Sequence, residues 1–467
     1  MKEGRKRRVK SSLEPWDIDE DRVDEGVTAY AGLPVVVEAW HGFGMDGACR
    51  KHLKLRERQK GLSDWEWAEV VTMLLMAGGR DAADVEALKS DAGLRRVWPL
   101  IGKASARSLL NYLYRFHDPK IPKAEQGCAR IVKESAGLLG LGKVNRHLIG
   151  HLQMRVAQRE ATVDIDASVH ESHKREALWT YEKVRGYQPV IAYWAEQGVI
   201  LTDQFRAGNV PAGMGNVGLV REALGALPEG VGVRRVRGDS ALYEQEVLRW
   251  LDEEGVEFAI SADVSDQLRQ QMLATDEKEW KPYVKLTSTG DRIETDKQWA
   301  EITYVPEERR PKKGSRPFRY IGIRIPRKEA DLFEGAYRHF AVVTNRWEME
   351  GNELLNWQRQ RCGTVEWAHD LLKNDFAARV FPCGKFGANA AWYRFNVLAF
   401  NLKVVLTKVG LPDFVRARPH TLRMQLLHLA GRVVSHSRRL STVLGRDSDL
   451  NRTRLLNCRS QVVLVPA

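Results

Sequence analysis

Ala161-Thr162-Val163-Asp164-Ile165-Asp166-Ala167-Ser168 is the stretch whose reading decides the fold. Val163 and Ile165 alternate with Thr162, Asp164, Asp166 and Ser168, which is the period of two of a strand with one apolar and one polar face. Residues two apart on a strand share a face, so both carboxylates point the same way. Two like charges that close resist joint ionisation unless a cation or a strong donor set lies between them. A functional pair and two solvated acids at a strand edge are evenly weighted on this stretch alone. The rest of the chain shifts the balance.

Downstream of this strand, helices and strands alternate. The runs Tyr187–Trp194 and Gly198–Phe205, joined through Glu196-Gln197-Gly198, predict a hairpin. A helix is expected from Pro211 to about Leu227, then a strand over Gly232–Gly238, a helix over Leu242–Glu254 and a strand over Val256–Ser261. That order predicts an α/β layer on a mixed sheet. Residues 263–335 are polar with strand-like alternation and predict a β-rich insertion that carries the basic loop 309–316. His339–Thr344 returns to the core as a strand. Met349–Asn374 predicts one long helix, and Ala388–Val409 a second, apolar enough for a buried position. The catalytic core is thus expected over 159–262 and 336–410.

Upstream, residues 28–158 predict a helical domain. Ser63-Asp64-Trp65-Glu66 offers an N-cap before an apolar run closed by Gly78-Gly79. Residues 105–116 predict an amphipathic helix, and 124–137 and 144–158 two more. Interspersed Arg and Lys suit a DNA-binding unit, and a plain helical bundle fits equally well. Residues 1–27 form a basic then acidic tail expected to be disordered, and 411–467 a basic C-terminal region.

The chain has 467 residues, 43% hydrophobic and 29% charged, which suits a globular protein with a core. No window approaches the roughly 18 consecutive apolar residues of a membrane span, and no apolar stretch follows the basic N-terminus as it would in a signal peptide. Five scattered cysteines without a C-x-x-C argue for a reducing cytoplasm and against a zinc ribbon. The net charge of +12, from 73 basic and 61 acidic residues, points to a polyanionic partner such as nucleic acid.

Three acids stand out as a set. Asp166 ends the first strand, Asp239 follows a later one in Arg237-Gly238-Asp239-Ser240, and Glu366 lies mid-helix. Sites in open α/β sheets form at the carboxyl ends of strands. Three converging carboxylates suit hard divalent cations, Mg²⁺ or Mn²⁺, and two such ions serve phosphodiester displacement. Asp166 would bridge both ions, with Asp239 and Glu366 one on each side. Asp164 is the rival for the bridging place; it ranks second because Asp166 lies nearer the strand's end. Lys373 and Arg359, seven residues to either side of Glu366, share its helix face and suit a phosphate, although each taken singly fits a solvated face better.

In order along the chain, Asp164-x-Asp166-x-Ser168, Gly186-Tyr187-Gln188-Pro189, Arg206-x-Gly208-Asn209, Arg237-Gly238-Asp239-Ser240 and Trp357-x-Arg359-x-x-x-Gly363-Thr364-x-Glu366-x-x-His369-x-x-x-Lys373 form a set. This set resembles the bacterial insertion-sequence transposases of the DDE class, with an RNase-H-like core, in the branch with a β-strand insertion between the second Asp and the Glu. The resemblance runs over roughly 28–440. It implies Asp166, Asp239 and Glu366 as the metal-binding triad, end binding by the N-terminal helices, and cut-and-paste DNA cleavage and strand transfer. It also implies a homodimer on double-stranded DNA, with transposon ends and target as substrates, at the bacterial nucleoid. Members often carry Tyr-x-x-Arg-x-x-x-Glu-x6-Lys. Here Trp357 stands near the Tyr, and four residues, not three, separate Arg361 from Glu366. Arg423, Arg432, His436, Arg438 and Arg439 near the C-terminus, and Lys312 and Lys313 in the insertion, are candidates for phosphate contacts. Trp299, loop 309–316 and Arg324 are candidates for covering the ends or stacking a flipped base. The rival functions are a metal-dependent nuclease or resolvase on the same fold, and a transposase-derived protein that only binds DNA.

Overall fold

The computed structural model describes residues 26–55, 61–287, 289–306, 317–331, 335–437, 439–445 and 448–463. The predicted strand is present as Glu160–Ala167 (β1), inside a nine-stranded sheet. Val190–Trp194 (β2) pairs antiparallel with β1, and Val199–Gln204 (β3) antiparallel with β2. The turn between them uses Gly198 at φ 70°, a left-handed conformation that glycine adopts without strain. Val233–Gly238 (β4) lies parallel to β1 on its other side, and Glu257–Ala262 (β5) parallel to β4. The order β3-β2-β1-β4-β5, with β2 alone reversed, is the RNase-H-like mixed sheet.

The insertion extends this sheet. Lys281–Leu286 (β6), Arg292–Ile302 (β7), Arg319–Asp331 (β8) and Gly335–Thr344 (β9) form an antiparallel meander, and β9 pairs with β5. An edge strand left at β5 would expose unpaired backbone groups; the meander moves that edge four strands outward.

Among the helices, Leu33–Gly42 (α1), the helix Met45–His52 and Asp64–Met76 (α2) come first; Ser63 caps α2 as expected, and Glu66 completes a capping box. The two helices expected over 124–158 are one, Ala136–Arg155 (α3). Residues 125–128 instead make a bridge around Gly127 at φ 83°. Gly137, Gly140 and Gly142 look like a break, but a side chain on Gly140 would meet the His52 carbonyl at 2.3 Å. Close packing, not chain reversal, accounts for glycine there.

The helix expected over 349–374 is also different. Gly351–Arg359 (α4) and Val365–Asn374 (α5) are separated by a 3₁₀ turn over Gln360–Gly363, and Thr364 has φ −115° and ψ −79°. Phe386–Gly410 (α6) is buried along almost its whole length, as its all-round apolar sequence predicts. Leu33, Trp40 and Val70 of the helical region, Val163 and Leu201 of the sheet, and Phe395 of α6 share one continuous buried cluster. At the C-terminus, a hairpin of Gly431–His436 and Arg439–Leu444 pairs with Val27–Thr28, and Asp449–Val463 (α7) packs on α1 and α6. No helix among the described residues is long and apolar enough to cross a membrane.

Candidate active site

The two aspartates of β1 share a face, as predicted, but that face is covered. The segment from α4 to α5 lies across it. Asp164 is fully buried and makes a two-pronged ion pair with Arg237, 2.7 Å from Nε to Oδ1 and 2.8 Å from Nη2 to Oδ2. Strand register puts Arg237 of β4 directly beside it. The Thr364 hydroxyl donates to the same carboxylate, and Arg237 Nη1 donates to the Trp357 carbonyl at 2.5 Å. Asp164 is therefore bound into a closed network that ties β1, β4 and the α4–α5 junction. A carboxylate with both oxygens so engaged has little capacity left for a metal.

Asp166 is in a different place. Register pairs Ile165 with Gly238, so Asp166, next to last in β1, and Asp239, just after β4, lie at neighbouring ends of parallel strands. Such strands lie about 4.8 Å apart. Gly238 is not at positive φ; a side chain there would meet Leu242 Cδ1 at 2.2 Å, so glycine answers a close approach. Asp239 Oδ1 accepts from Ala241 N at 3.0 Å, which fixes the turn after the strand. Glu366 is exposed in the first turn of α5. Burial pushes the Asp166 carboxyl up to about 6; Arg361 opposes the rise, and the charges of Asp239 and Glu366 add to it. The charges of Asp239 and Glu366 thus both bear on the ionisation of Asp166.

Arg361 is the residue that the predicted motif left without a place. Its Nη2 lies 2.7 Å from Asp166 Oδ1, and its Nε is buried with no hydrogen-bond partner among the described residues. The 3₁₀ turn at Gln360–Gly363, where the chain has its extra residue, carries this guanidinium to β1. Among the described residues, no three acids stand close enough to close round a metal ion. The donors are nevertheless hard carboxylate oxygens, the kind Mg²⁺ or Mn²⁺ takes. The donor set fits in kind, and Arg361 is the cation that would have to release the Asp166 oxygen.

His369, one turn after Glu366, packs against the same strand. Burial first, then the Lys373 charge, lower its pKa to about 3, so the ring is neutral. Its Nε2 lies 3.3 Å from the Asp166 carbonyl, to which it donates, and 3.6 Å from Asp166 Oδ2. Lys373 is half-buried in the field of Glu182 and Asp166, and burial lowers its ammonium pKa. The structure brings Lys373 to the acids but not Arg359. The break after α4 rotates Arg359 away, and its guanidinium lies 5.2 Å over the Tyr283 ring of β6.

The expected phosphate contacts divide. Arg423 is buried, and it donates to the Leu75 and Met76 carbonyls at the end of α2 and to the Asp375 carbonyl, at 2.8, 2.9 and 2.6 Å. It ties three segments together and is not presented to a ligand. Arg432, His436 and Arg439 are exposed on the C-terminal hairpin. Arg438, Lys312 and Lys313, with the loop 309–316 as far as residue 316, lie outside the described residues. Trp299 is buried against Gly351, and Arg324 is buried, bonded to the exposed Glu277 and 4.5 Å over the rings of Trp280 and Tyr337. Neither is placed to meet DNA. Arg237 was legible as part of the Arg-Gly-Asp-Ser motif, but its partner was not: only strand register selects Asp164.

A mixed sheet of this order, with an acid at the end of each of two adjacent parallel strands and a third on a helix laid over them, defines the RNase-H-like class. The model of the family "Transposase DDE domain group 1" matches residues 23–451, and the chain belongs to that family. No curated protein matches the chain. A solved structure described as the piggyBac transposase synaptic complex with hairpin DNA is 10% identical, covering 93% of this chain and 86% of that one, with a TM-score of 0.44. The strand order, not this likeness, defines the fold.

Proposed function

We propose that this transposase catalyses cut-and-paste transposition of an insertion sequence. The observation that carries the reading is the Asp166 carboxyl at the end of β1, beside β4, pushed up by burial and by the charges of Asp239 and Glu366. A perturbed carboxylate at a strand end in the field of further acids is the arrangement expected of a divalent-metal site. Asp166, Asp239 and Glu366 would hold Mg²⁺ or Mn²⁺. When bound, such ions supply Lewis acidity to the phosphodiester and neutralise charge that develops on it.

The chain's own groups do the rest. Lys373, held half-buried beside Asp166, meets a non-bridging phosphate oxygen and fixes the scissile group. Neutral His369 holds the end of β1 through the Asp166 carbonyl, which sets the carboxylate above it. Arg361 shields Asp166 until DNA and metal arrive and then turns to phosphate. In cleavage, water forms the new bond to phosphorus and the 3′-oxygen of the end leaves as a hydroxyl. In strand transfer, that hydroxyl attacks a target phosphodiester, and a target 3′-oxygen leaves. The helical region 28–158 and the C-terminal hairpin, with Arg432 and Arg439, bind the inverted-repeat ends in a homodimer at the bacterial nucleoid.

The test is an excision and strand-transfer assay on the terminal repeats that flank the reading frame. Wild type should release the ends and join them to target only with Mg²⁺ or Mn²⁺, and Asp239→Asn should bind ends but not cleave. Metal-dependent cleavage without joining would identify a nuclease instead.

A further inference from the structure

Asp239 stands on a turn that other segments hold. Its Oδ1 accepts from Ala241 N at 3.0 Å inside the 3₁₀ turn Ser240–Leu242, and no hydrogen bond among the described residues engages its other oxygen. One atom anchors the carboxylate, and the path of the turn aims the rest. Two amide side chains grip the backbone on either side of Asp239. Before it, Gln358 Nε2 of α4 donates to the Gly238 carbonyl at 3.4 Å and to the Ser261 hydroxyl at 3.1 Å. After it, Asn216 Nδ2 donates to the Ala241 carbonyl at 2.7 Å. Ala241 links the two ends of this chain of bonds: its N–H holds the Asp239 carboxylate, and its carbonyl is held by Asn216.

Asn216 opens the helix Asn216–Gly225 and is buried. An asparagine at a helix start ordinarily spends its side chain on the first free N–H groups. None of the hydrogen bonds of Asn216 goes there. Its Nδ2 also meets the Ala212 carbonyl at 3.2 Å and Glu244 Oε1 at 3.1 Å, and its Oδ1 accepts from Arg206 Nη2 at 3.3 Å. Arg206 is itself buried, and it donates further to Gln204 Oε1 at 2.6 Å and to the Ala212 carbonyl at 3.3 Å. No carboxylate among the described residues stands at ion-pair distance from it. A guanidinium buried on neutral acceptors is costly to desolvate, so its place needs a reason. A charged donor on the Asn216 oxygen polarises the amide and strengthens the bond from its other end to Ala241. Arg206 belongs to the motif Arg206-x-Gly208-Asn209, which the three acids leave unexplained.

We infer that Asn216 is a positioning residue for Asp239: through Ala241 it sets where the Asp239 carboxylate stands, and Arg206 fixes Asn216. The inference rests on the divalent-metal reading of the acids. A group that orients a metal-binding side chain from behind is worth about 10- to 100-fold in metal affinity.

The test follows Mn²⁺ binding by the electron paramagnetic resonance of the free ion, with the full chain on an end duplex already cut to its 3′-hydroxyl. Asn216→Leu fills the volume but donates nothing, and Asn216→Ala removes the side chain. Each should weaken Mn²⁺ binding about 10-fold. Each should raise the Mg²⁺ concentration for half-maximal cleavage by the same factor, with the rate at saturating Mg²⁺ little changed. Val220→Ala, on the same helix, removes buried methyl groups but none of these bonds. It should lower the melting temperature and leave both metal constants at their wild-type values. Unchanged metal binding in the Asn216 variants overturns the positioning role, as does a shift of equal size in Val220→Ala. Loss of the folded state in both Asn216 variants also overturns it, in favour of a role in the fold as a whole. Asp239→Asn separates the inference from the reading beneath it. If Asp239→Asn binds Mn²⁺ as wild type does, the metal reading fails and the positioning role with it. If Asp239→Asn binds weakly while Asn216→Leu binds as wild type does, the positioning role alone fails.

Discussion

Asp164 and Asp166 are two residues apart on one strand, share a face, and each meets an arginine, yet they end in opposite kinds of place. Asp164 and Arg237 are both buried, and the pair is finished off by Thr364 and the Trp357 carbonyl. Asp166 meets Arg361 through one oxygen, at the edge of solvent, with two further acids near it. Burial with complete partners makes a strut. Burial with incomplete partners and like charges makes a group ready to take a cation. One turn of chain decides which, because Thr364 and Arg361 reach β1 from the same 3₁₀ junction.

That contrast is open to breakage. The largest effect is expected from Asp166→Ala, which should lower the end-cleavage rate by about 10³-fold or more with duplex affinity little changed. A cleavage defect of similar size in Asp164→Asn, with Asp166→Ala active, would invert the assignment. Next, Asp164→Ala should cost about 3–5 kcal/mol of stability in urea unfolding, because it leaves Arg237 charged and buried without its carboxylate.

A third effect has the opposite sign. The Asp166 carboxyl is raised to about 6 in the folded chain, above the unfolded value of about 3.9. Its ionisation therefore costs the fold nothing below about pH 4, and the cost grows as pH rises through 6. Asp166→Asn should thus stabilise the metal-free protein by about 1–2 kcal/mol at pH 7.5, after a discount for its partial exposure, with the gain gone at pH 4. Thermal melts at the two pH values would show it. The smallest effect separates the two kinds of C-terminal arginine. Arg439→Ala should weaken DNA binding and reduce the salt slope by about one, whereas Arg423→Ala should leave the slope unchanged and cost about 1–3 kcal/mol of stability.

Local pattern carried far in this chain. The alternation at 161–168, the hairpin with Gly198 and the apolar run 388–409 each became the element their periodicity predicts, because each buries a face set by its own sequence. Reading failed where a residue serves a distant neighbour. The glycines of α3 look like a break, but Gly140 allows contact with the 45–52 helix, and the 349–374 helix bends so that Arg361 and Thr364 can reach β1. Trp299, exposed in expectation, is buried against Gly351 for the same reason: its partner is 52 residues away in the chain, and only the sheet brings them together.

What the sequence determined by itself is the set: two acids after strands, one on a helix, and a lysine two turns beyond it. Residue identity and local period suffice for that, since both act over a few residues. Only the tertiary structure closes Asp164 into its pair with Arg237, leaves Asp166 at the edge of solvent, sets Arg359 over the Tyr283 ring and ties Arg423 to backbone carbonyls. Those outcomes depend on which strand lies next to which, in what register, and on which side chains complete a buried charge. Such partners are remote in the chain, and no local pattern carries them.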